Sequence, residues 1–541
     1  MNRWKLGTAG VLLLTLGQLT FADDMESLFD EATVKGKPVK KAEKPARTAS
    51  ALYYVVQAQL PKNPHPDQSL FLNHIENGDW EKALLQFPVA FEGTAFQRSE
   101  NGRALFALAH FHSGMPMVGL ETLFKTVDNP RQIHPEIRRL WQEAAPAEHF
   151  AWDLAEIRWA PGFSEIFPPT AEFKVITRDL SANKNVTTLK SLYARLPSNS
   201  MERARAGWQL VVAYSTTGQV EDAAKTLAQL MKADKKAVSE DLMEITAARL
   251  LFQRAHYSAA IKYYEKVGRT SEYWTDAQEE MAWSYIRRGE PGNALAISKS
   301  LVVPGIAIQA GAEGYFVHAL SLLKICDYPS VIQSLGEFPK IYKERTAMLS
   351  RLAAASESAP TQKLIGLLKN ERISRAQIGK EGQSLPRLVA RDERLFEYAQ
   401  AQKHYEDESE AAEKVYAKSL AQTGLQGHFD RLRKSALTRA RTAQSASFGR
   451  VKQLARQEVD EIKEILRKLH IVEAEVIQQI SVSERVIAKT RAPATEKKGV
   501  TGSKAADTLT FPDEGENWFD EVGHYKVDVK KACHATAKGK S

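Results

Sequence analysis

A small or apolar residue recurs at one position of a helical pattern about every 34 to 37 residues within 67–345. The pattern is a helix, a glycine-containing or polar turn, and a second helix with an alanine near its start. The anchor positions are 83, 119, 189, 223, 260, 294 and 331, and the gap of 70 residues after 119 has room for a degenerate unit near Ala155. Helix pairs repeated at a fixed period stack on one another, so this feature predicts an array of helices.

Each unit has a packing explanation. Gly218 suits a turn that needs positive φ, Ala223 lets the second helix approach the first closely, and Tyr214 fills the space beside them. This period and pattern are those of the tetratricopeptide repeat, so the predicted fold class is an all-α solenoid, with an irregular all-helical domain as the alternative. The residues assigned to repeat packing are Gly78, Ala83, Gly114, Gly119, Tyr214, Gly218, Ala223, Ala260, Tyr285, Gly289 and Ala294.

The regions outside the repeats differ in composition. The predicted divisions are a signal peptide at 1–22, a basic low-complexity tail at 23–66, the repeat solenoid at 67–345, a long-helix region at 346–488, a flexible linker at 489–510, an aromatic docking segment at 511–533 and a disordered tail at 534–541. The long helices are expected to form an antiparallel hairpin around a turn near Gly424 and Gly427. One apolar stripe supports this expectation, namely Ile462, Leu466, Leu469, Val472, Val476 and Ile480.

The first 22 residues have the pattern of a secretory signal. Arg3 and Lys5 precede an apolar stretch, and a small residue, Ala22, ends it, which predicts cleavage after Ala22 and a periplasmic location. An uncleaved membrane anchor is the alternative, although the stretch is short for a span of about 20 residues.

Catalytic, metal-binding and cofactor-binding motifs are absent from the sequence. His110 occupies the repeat position of Tyr214 and Tyr285, which favours packing over metal ligation. We therefore expect no enzyme activity, no catalytic residue, no metal, no cofactor and no small-molecule substrate. The alternative is an exported enzyme, or a regulator of enzymes, that acts on the bacterial cell wall.

The expected function is protein–protein scaffolding, because a solenoid offers an extended concave surface lined by first helices. Other envelope proteins are the expected partners, nucleic acid is not expected after export, and self-association through the long helices stays open. The groove candidates are Arg205, Trp208, Gln209, Arg249, Gln253, Glu279, Trp283 and Arg287. Arginine and tryptophan dominate binding energy when exposed, although Trp208 and Trp283 are equally plausible in the core.

The chain has two cysteines, Cys326 and Cys533. Export would place both thiols in a compartment where disulfides persist, and two cysteines leave one intramolecular pairing. Cys326 falls at the turn position of Gly218 and Gly289. A disulfide between Cys326 and Cys533 would tie the C-terminal segment to the last repeat; a buried thiol with a separate terminal thiol is the alternative.

Five short segments are distinctive beyond the repeat pattern, and they are 263–267 (YYEKV), 273–274 (YW), 279–285 (EEMAWSY), 324–328 (KICDY) and 515–521 (GENWFDE). These segments resemble exported tetratricopeptide-repeat proteins of the adventurous gliding motility type. The resemblance covers roughly 240–345 and 511–533, and it implies a periplasmic scaffold in an envelope-spanning complex.

Overall fold

The structure is a computed structural model that describes residues 50–144, 161–167, 186–419 and 423–490, together with Tyr525 and Val527. Over these residues it contains helices and no β-strand, which confirms the predicted all-α fold class. The α-helices are α1 Ser50–Gln57, α2 Pro66–Glu76, α3 Trp80–Phe91, α4 Ala95–Arg98, α5 Glu100–His112, α6 Pro116–Thr126, α7 Pro135–Ala144, α8 Val186–Arg195, α9 Met201–Thr216, α10 Val220–Lys232, α11 Glu240–Gln253, α12 Tyr257–Lys266, α13 Trp274–Arg288, α14 Pro291–Leu301, α15 Pro304–Ala310, α16 Glu313–Lys324, α17 Tyr328–Ala354, α18 Ala359–Leu368, α19 Arg375–Ile378, α20 Glu393–Lys418 and α21 Thr423–Thr490.

The chain forms two compact units, and the described part of the smaller unit is residues 186–267. It contains α8 to α12, in which α9 pairs with α10 and α11 with α12. Ser200 and Ser239 cap α9 and α11, because each hydroxyl accepts a hydrogen bond from a backbone N–H in the first turn. At Gly207 a Cβ would lie 2.8 Å from Leu230 and 2.9 Å from Tyr193, so glycine permits the close approach of α9 to its neighbours.

The larger unit has the remaining described helices, and its N-terminal part is built on α1 to α7. Here α3 and α5 are the central helices, and α6 packs against α5. Phe71, Phe91 and Trp141 are fully buried in this core. The long helices α20 and α21 contribute Tyr405 and Ala440 to the same core, so the chain returns to its N-terminal helices about 300 residues later.

The rest of the larger unit is organised around α21. It packs along α20 and α17, and it also contacts α16. A second core joins residues of the last repeats, such as Tyr315 and Val331, to Val451, Leu469 and other residues on one side of α21. The long helices α20 and α21 therefore pack both against the N-terminal helices and against the helices of the last repeats in the larger unit.

Three predicted boundaries differ from the sequence-based expectation. The predicted tail at 23–66 contains α1, which buries Leu52 and Val56 in the N-terminal core. Helix α17 crosses the predicted boundary at 345, since its apolar face continues along α21. Gly424 lies inside α21 rather than in a turn, because the helix begins at Thr423.

Leu466 also differs, because it is 36% exposed and Ile465 takes its place in the buried stripe.

None of the described helices alone is long and apolar enough to cross a bilayer. Helices α14 and α15, bent by 100° relative to each other, reach the required length and composition only as a pair.

Candidate protein-interaction surfaces

The repeat anchors lie where helices cross. Ala83, Ala223, Ala260 and Ala294 are completely buried. Gly119 is also inside, where a Cβ would lie 2.7 Å from the carbonyl oxygen of Ala107. The turn residues before the second helices have positive φ, and they are Gly78 (71°), Gly114 (83°), Gly218 (78°) and Gly289 (81°). Of the two repeat tyrosines, Tyr214 is buried and Tyr285 is half-buried.

Five groove candidates lie in the smaller unit, on the first helices of its two pairs. On α9, Arg205 and Trp208 are half-buried and Gln209 is exposed. On α11, Arg249 is half-buried and Gln253 is exposed one turn later. Both helices therefore present long polar side chains on the side away from their buried alanine contacts.

The other three candidates lie on α13 of the larger unit. Glu279 is buried, Trp283 is half-buried and Arg287 is exposed, at successive helical turns. The Trp283 ring centroid is 5.7 Å from that of Phe316 on α16. Trp283 is thus partly a packing residue. Arg287 is the most accessible of the three candidates on α13.

Glu244 on α11 is a residue that the repeat pattern does not single out. Its side chain is half-buried, and burial raises the pKa of the carboxyl to about 7, partly opposed by Lys266. A carboxyl that titrates near neutral pH makes the charge of α11 dependent on pH, on the side of the helix opposite to Arg249 and Gln253. Only the folded structure provides the burial that causes this shift.

The N-terminal repeats contact the long helices through polar groups as well as through the core. Glu408 of α20 is buried and accepts hydrogen bonds from the backbone N–H groups of Met117 and Val118 at the start of α6. Arg439 of α21 forms an ion pair with Glu121 of α6. Helix α20 therefore contacts α6 through the carboxyl group of Glu408, and α21 contacts α6 through the ion pair of Arg439 with Glu121.

His110 lies in the same region, where its ring is buried against Phe106. Its Nε2 is 3.4 Å from Nε2 of His428 and its Nδ1 is 3.0 Å from the carbonyl oxygen of Phe106. Burial lowers the pKa of His110 to about 4. Over the described residues no group of three or more metal-ligating side chains is assembled.

A buried ion cluster, comprising Arg345, Arg387, Glu458 and Glu461, connects α17 and α21 to the segment before α20. Glu458 Oε1 is 2.7 Å from Nε of Arg345, and Glu458 Oε2 accepts the backbone N–H of Arg387 at 2.7 Å. Glu461 is 3.0 Å from the Arg387 guanidinium. Gly311, with φ of 91°, makes room for Arg387, because a Cβ there would lie 2.8 Å from its Cζ.

Two residues of the predicted docking segment are described, and both contact the larger unit. The Nζ of Lys299 on α14 is 4.5 Å from the Tyr525 ring centroid, and Val527 packs against the second core.

Cys326 has a φ of 60° in the turn between α16 and α17 and is disulfide-bonded. Cys533, the signal peptide and the predicted linker lie outside the described residues.

Comparison with known proteins finds a family model that matches part of the chain. Residues 174–290 match the family model of the tetratricopeptide repeat protein 21 ARM repeat. This supports a tetratricopeptide-like repeat protein, in agreement with the helix pairs α9/α10, α11/α12 and α13/α14. No curated protein and no solved structure matches the chain.

Proposed function

We propose that this protein is a non-enzymatic periplasmic scaffold that binds other envelope proteins within an envelope-spanning, gliding-type complex. The observation that carries the proposal is the pairing of helical repeats, matched by a repeat-family model, with long polar side chains along their first helices. Repeat arrays generally act by presenting such surfaces to protein partners. The signal-like N-terminus supports the location, and the sequence resemblance supports the type of complex.

The binding surface is tested by charge reversal. Arg249→Glu with Arg287→Glu is expected to weaken capture of crosslinked envelope proteins in pull-downs, because each guanidinium group lies on a first helix proposed to bind partners, Arg249 in the smaller unit and Arg287 in the larger unit. Lys225→Glu with Lys235→Glu is the matched control, since both lysines are exposed in the smaller unit outside the first helices. Far-UV circular dichroism should be unchanged in all variants. An unchanged capture profile would assign binding to another surface.

The location and the absence of catalysis are tested separately. Protein purified from the periplasmic fraction is expected to begin at Asp23, as N-terminal sequencing would show. Recovery only from the cytoplasm would contradict export. Wall-degrading activity of the purified protein would instead establish the alternative, an enzyme that acts on the cell wall.

A further inference from the structure

Helix α21 has a long stretch without carboxylates. Residues 431–457 contain eight lysines and arginines and no aspartate or glutamate. Four of the eight form ion pairs with neighbouring carboxylates: Arg433 with Glu413 and Asp430, Lys434 with Asp430, Arg439 with Glu121 and Arg450 with Asp392. The others are Arg431, Arg441, Lys452 and Arg456, none of which forms an ion pair with a described residue.

These four residues and Lys463 make up what we call the basic stripe. Four of its members are exposed and Lys452 is half-buried. At about 100° per residue they all lie within roughly 80° of one another around the helix, and at 1.5 Å per residue they span about 48 Å. Asp460 is exposed just outside this sector, between Arg456 and Lys463, and Glu464 lies further around the helix. The stripe is therefore a narrow row of positive charge with one exposed carboxylate beside its C-terminal end.

The surroundings of the basic stripe favour a narrow partner over a broad one. Helix α20, which packs along α21, has its exposed Asp407 and Glu410 in ion pairs with Lys403 and Lys414, so these residues add no net positive charge for a flat anionic bilayer. The only aromatic residue of 431–457 is Phe448, which is buried, so the stripe has no stacking platform for nucleic-acid bases. Thr438 and Ser445, small and exposed, leave space for close approach.

We propose that the basic stripe docks an acidic α-helix of a partner protein. A helix of about 32 residues with glutamates or aspartates at i, i+3 and i+4 spacing has the length and one-sided charge of the stripe. Charge complementarity of exposed groups mainly accelerates and orients association, so binding is expected to be salt-sensitive. The basic stripe shares no residue with the proposed groove. Evidence against binding at one of the two surfaces therefore leaves the proposal for the other unaffected.

The test uses the full chain and a synthetic Glu/Ala helical peptide of about 35 residues with its glutamates on one face. Arg441→Glu/Lys452→Glu/Arg456→Glu is expected to weaken peptide binding at least about tenfold in fluorescence anisotropy at about 50 mM salt, and less at about 500 mM. The control Lys225→Glu/Lys235→Glu/Lys343→Glu changes the net charge equally at exposed sites on other helices or loops and should stay within about twofold.

Equal weakening in both triple variants, or no peptide binding by the parent protein, would overturn the proposal. Binding of phosphatidylglycerol vesicles without binding of the peptide would overturn it in favour of a membrane surface. If the glutamate triple variant has an altered circular dichroism spectrum, peptide binding is measured instead with Arg441→Gln/Lys452→Gln/Arg456→Gln. This variant removes the three positive charges without reversing them, and it should also bind the peptide more weakly than the parent protein. The Arg249→Glu/Arg287→Glu variant should bind the peptide like the parent, which separates this surface from the groove.

Discussion

At the scale of single residues, small side chains set the spacing between paired helices. Ala223, Ala260 and Ala294 are completely buried on second helices that pack against the first helices of their pairs. Interiors of proteins are close-packed, and an added methylene there shifts its neighbours. The spacing of the repeats thus marks the positions at which paired helices pack too closely for a large side chain.

Replacement of Ala260 by phenylalanine tests this requirement. Ala260→Phe should lower the free energy of unfolding by about 1–3 kcal/mol, because the larger ring overpacks the contact of α12 with α11. Ser258→Phe is the matched control, since Ser258 is exposed two residues earlier on α12. Equal melting temperatures for the two variants would show that Ala260 is not at a tight contact.

Glu408 gives a prediction about pH. Burial raises the pKa of its carboxyl to about 8, although the N–H groups of Met117 and Val118 and the charge of Arg439 act in the other direction. The folded state therefore holds this proton more tightly than the unfolded state, whose carboxyl has the ordinary value near 4.5. Its contribution to stability is fully present below about pH 4.5 and is lost as the pH rises towards 8.

The measurement compares thermal melting of the parent and Glu408→Gln between about pH 5 and pH 8. The stability of the parent relative to Glu408→Gln should fall as the pH rises, because glutamine keeps an acceptor oxygen and cannot ionise. Glu410→Gln, an exposed change on the same helix, should follow the parent at every pH. A constant difference between the parent and Glu408→Gln would contradict a raised pKa.

Turn residues show how far sequence reasoning extends at this scale. Gly218 and Gly289 could be predicted as positive-φ turns because glycine adopts that conformation without steric cost. Ala255 has a φ of 62° at the corresponding turn before α12, and no residue preference predicts it. The packing of α11 against α12 imposes this conformation despite the Cβ.

At the scale of elements, the buried ion cluster fixes how α17 lies against α21. The Arg345 and Glu458 side chains are 1% and 8% exposed, so each charge depends on the other for compensation. Arg345 also donates to the carbonyl oxygen of Leu385 at 2.8 Å, which ties the segment before α20 to α17. Truncation of one partner in such a pair leaves a buried charge without compensation.

Arg345→Met should therefore destabilise the larger unit by about 3–5 kcal/mol in urea unfolding. Arg345→Met/Glu458→Gln should recover part of this loss, because the remaining partner no longer carries a charge. Arg351→Met is the control, as Arg351 is exposed on the same helix. If Arg345→Met unfolds at the same urea concentration as Arg351→Met, the ion cluster contributes nothing to the packing of these helices.

Helix boundaries were less predictable than helix identity. Glycines at 424 and 427 predicted a turn, yet α21 begins at Thr423 and includes both. Glycine in a helix costs about 1 kcal/mol relative to alanine, which the extensive packing of α21 against α20 outweighs. Similarly, Leu466 fits the helical spacing of the stripe, but it is exposed, and Ile465 is buried in the second core instead.

At the scale of the whole molecule, two described residues near the C-terminus contact helices that precede them by about 200 positions. Tyr525 and Val527 are two residues apart and both contact the larger unit. Cys326 is disulfide-bonded, and the sequence offers Cys533 as the one other cysteine. A disulfide between Cys326 and Cys533 would close a long loop, so it would restrict the unfolded chain more than any single non-covalent contact in the repeats.

The disulfide prediction is tested by mass spectrometry of non-reduced peptides. A linked pair of peptides containing Cys326 and Cys533 is expected, and its closure should stabilise the fold by up to about 5 kcal/mol through chain entropy. Cys326→Ser should melt like the reduced parent protein, with no further change on reduction. Recovery of both cysteines as separate alkylated peptides would contradict the pairing.

The sequence by itself determined the all-α fold class and the helix pairs, because small residues and glycine turns at a fixed period encode local helix crossings. It also indicated where apolar faces lie, since periodicity reports which side of a helix is buried. Only the tertiary structure decided that α20 and α21 enter the same cores as the N-terminal and last repeats, and that Glu408, Arg345 and Glu458 are buried. These contacts join residues about 70 to 350 positions apart, and no local pattern specifies them because they depend on how whole helices meet.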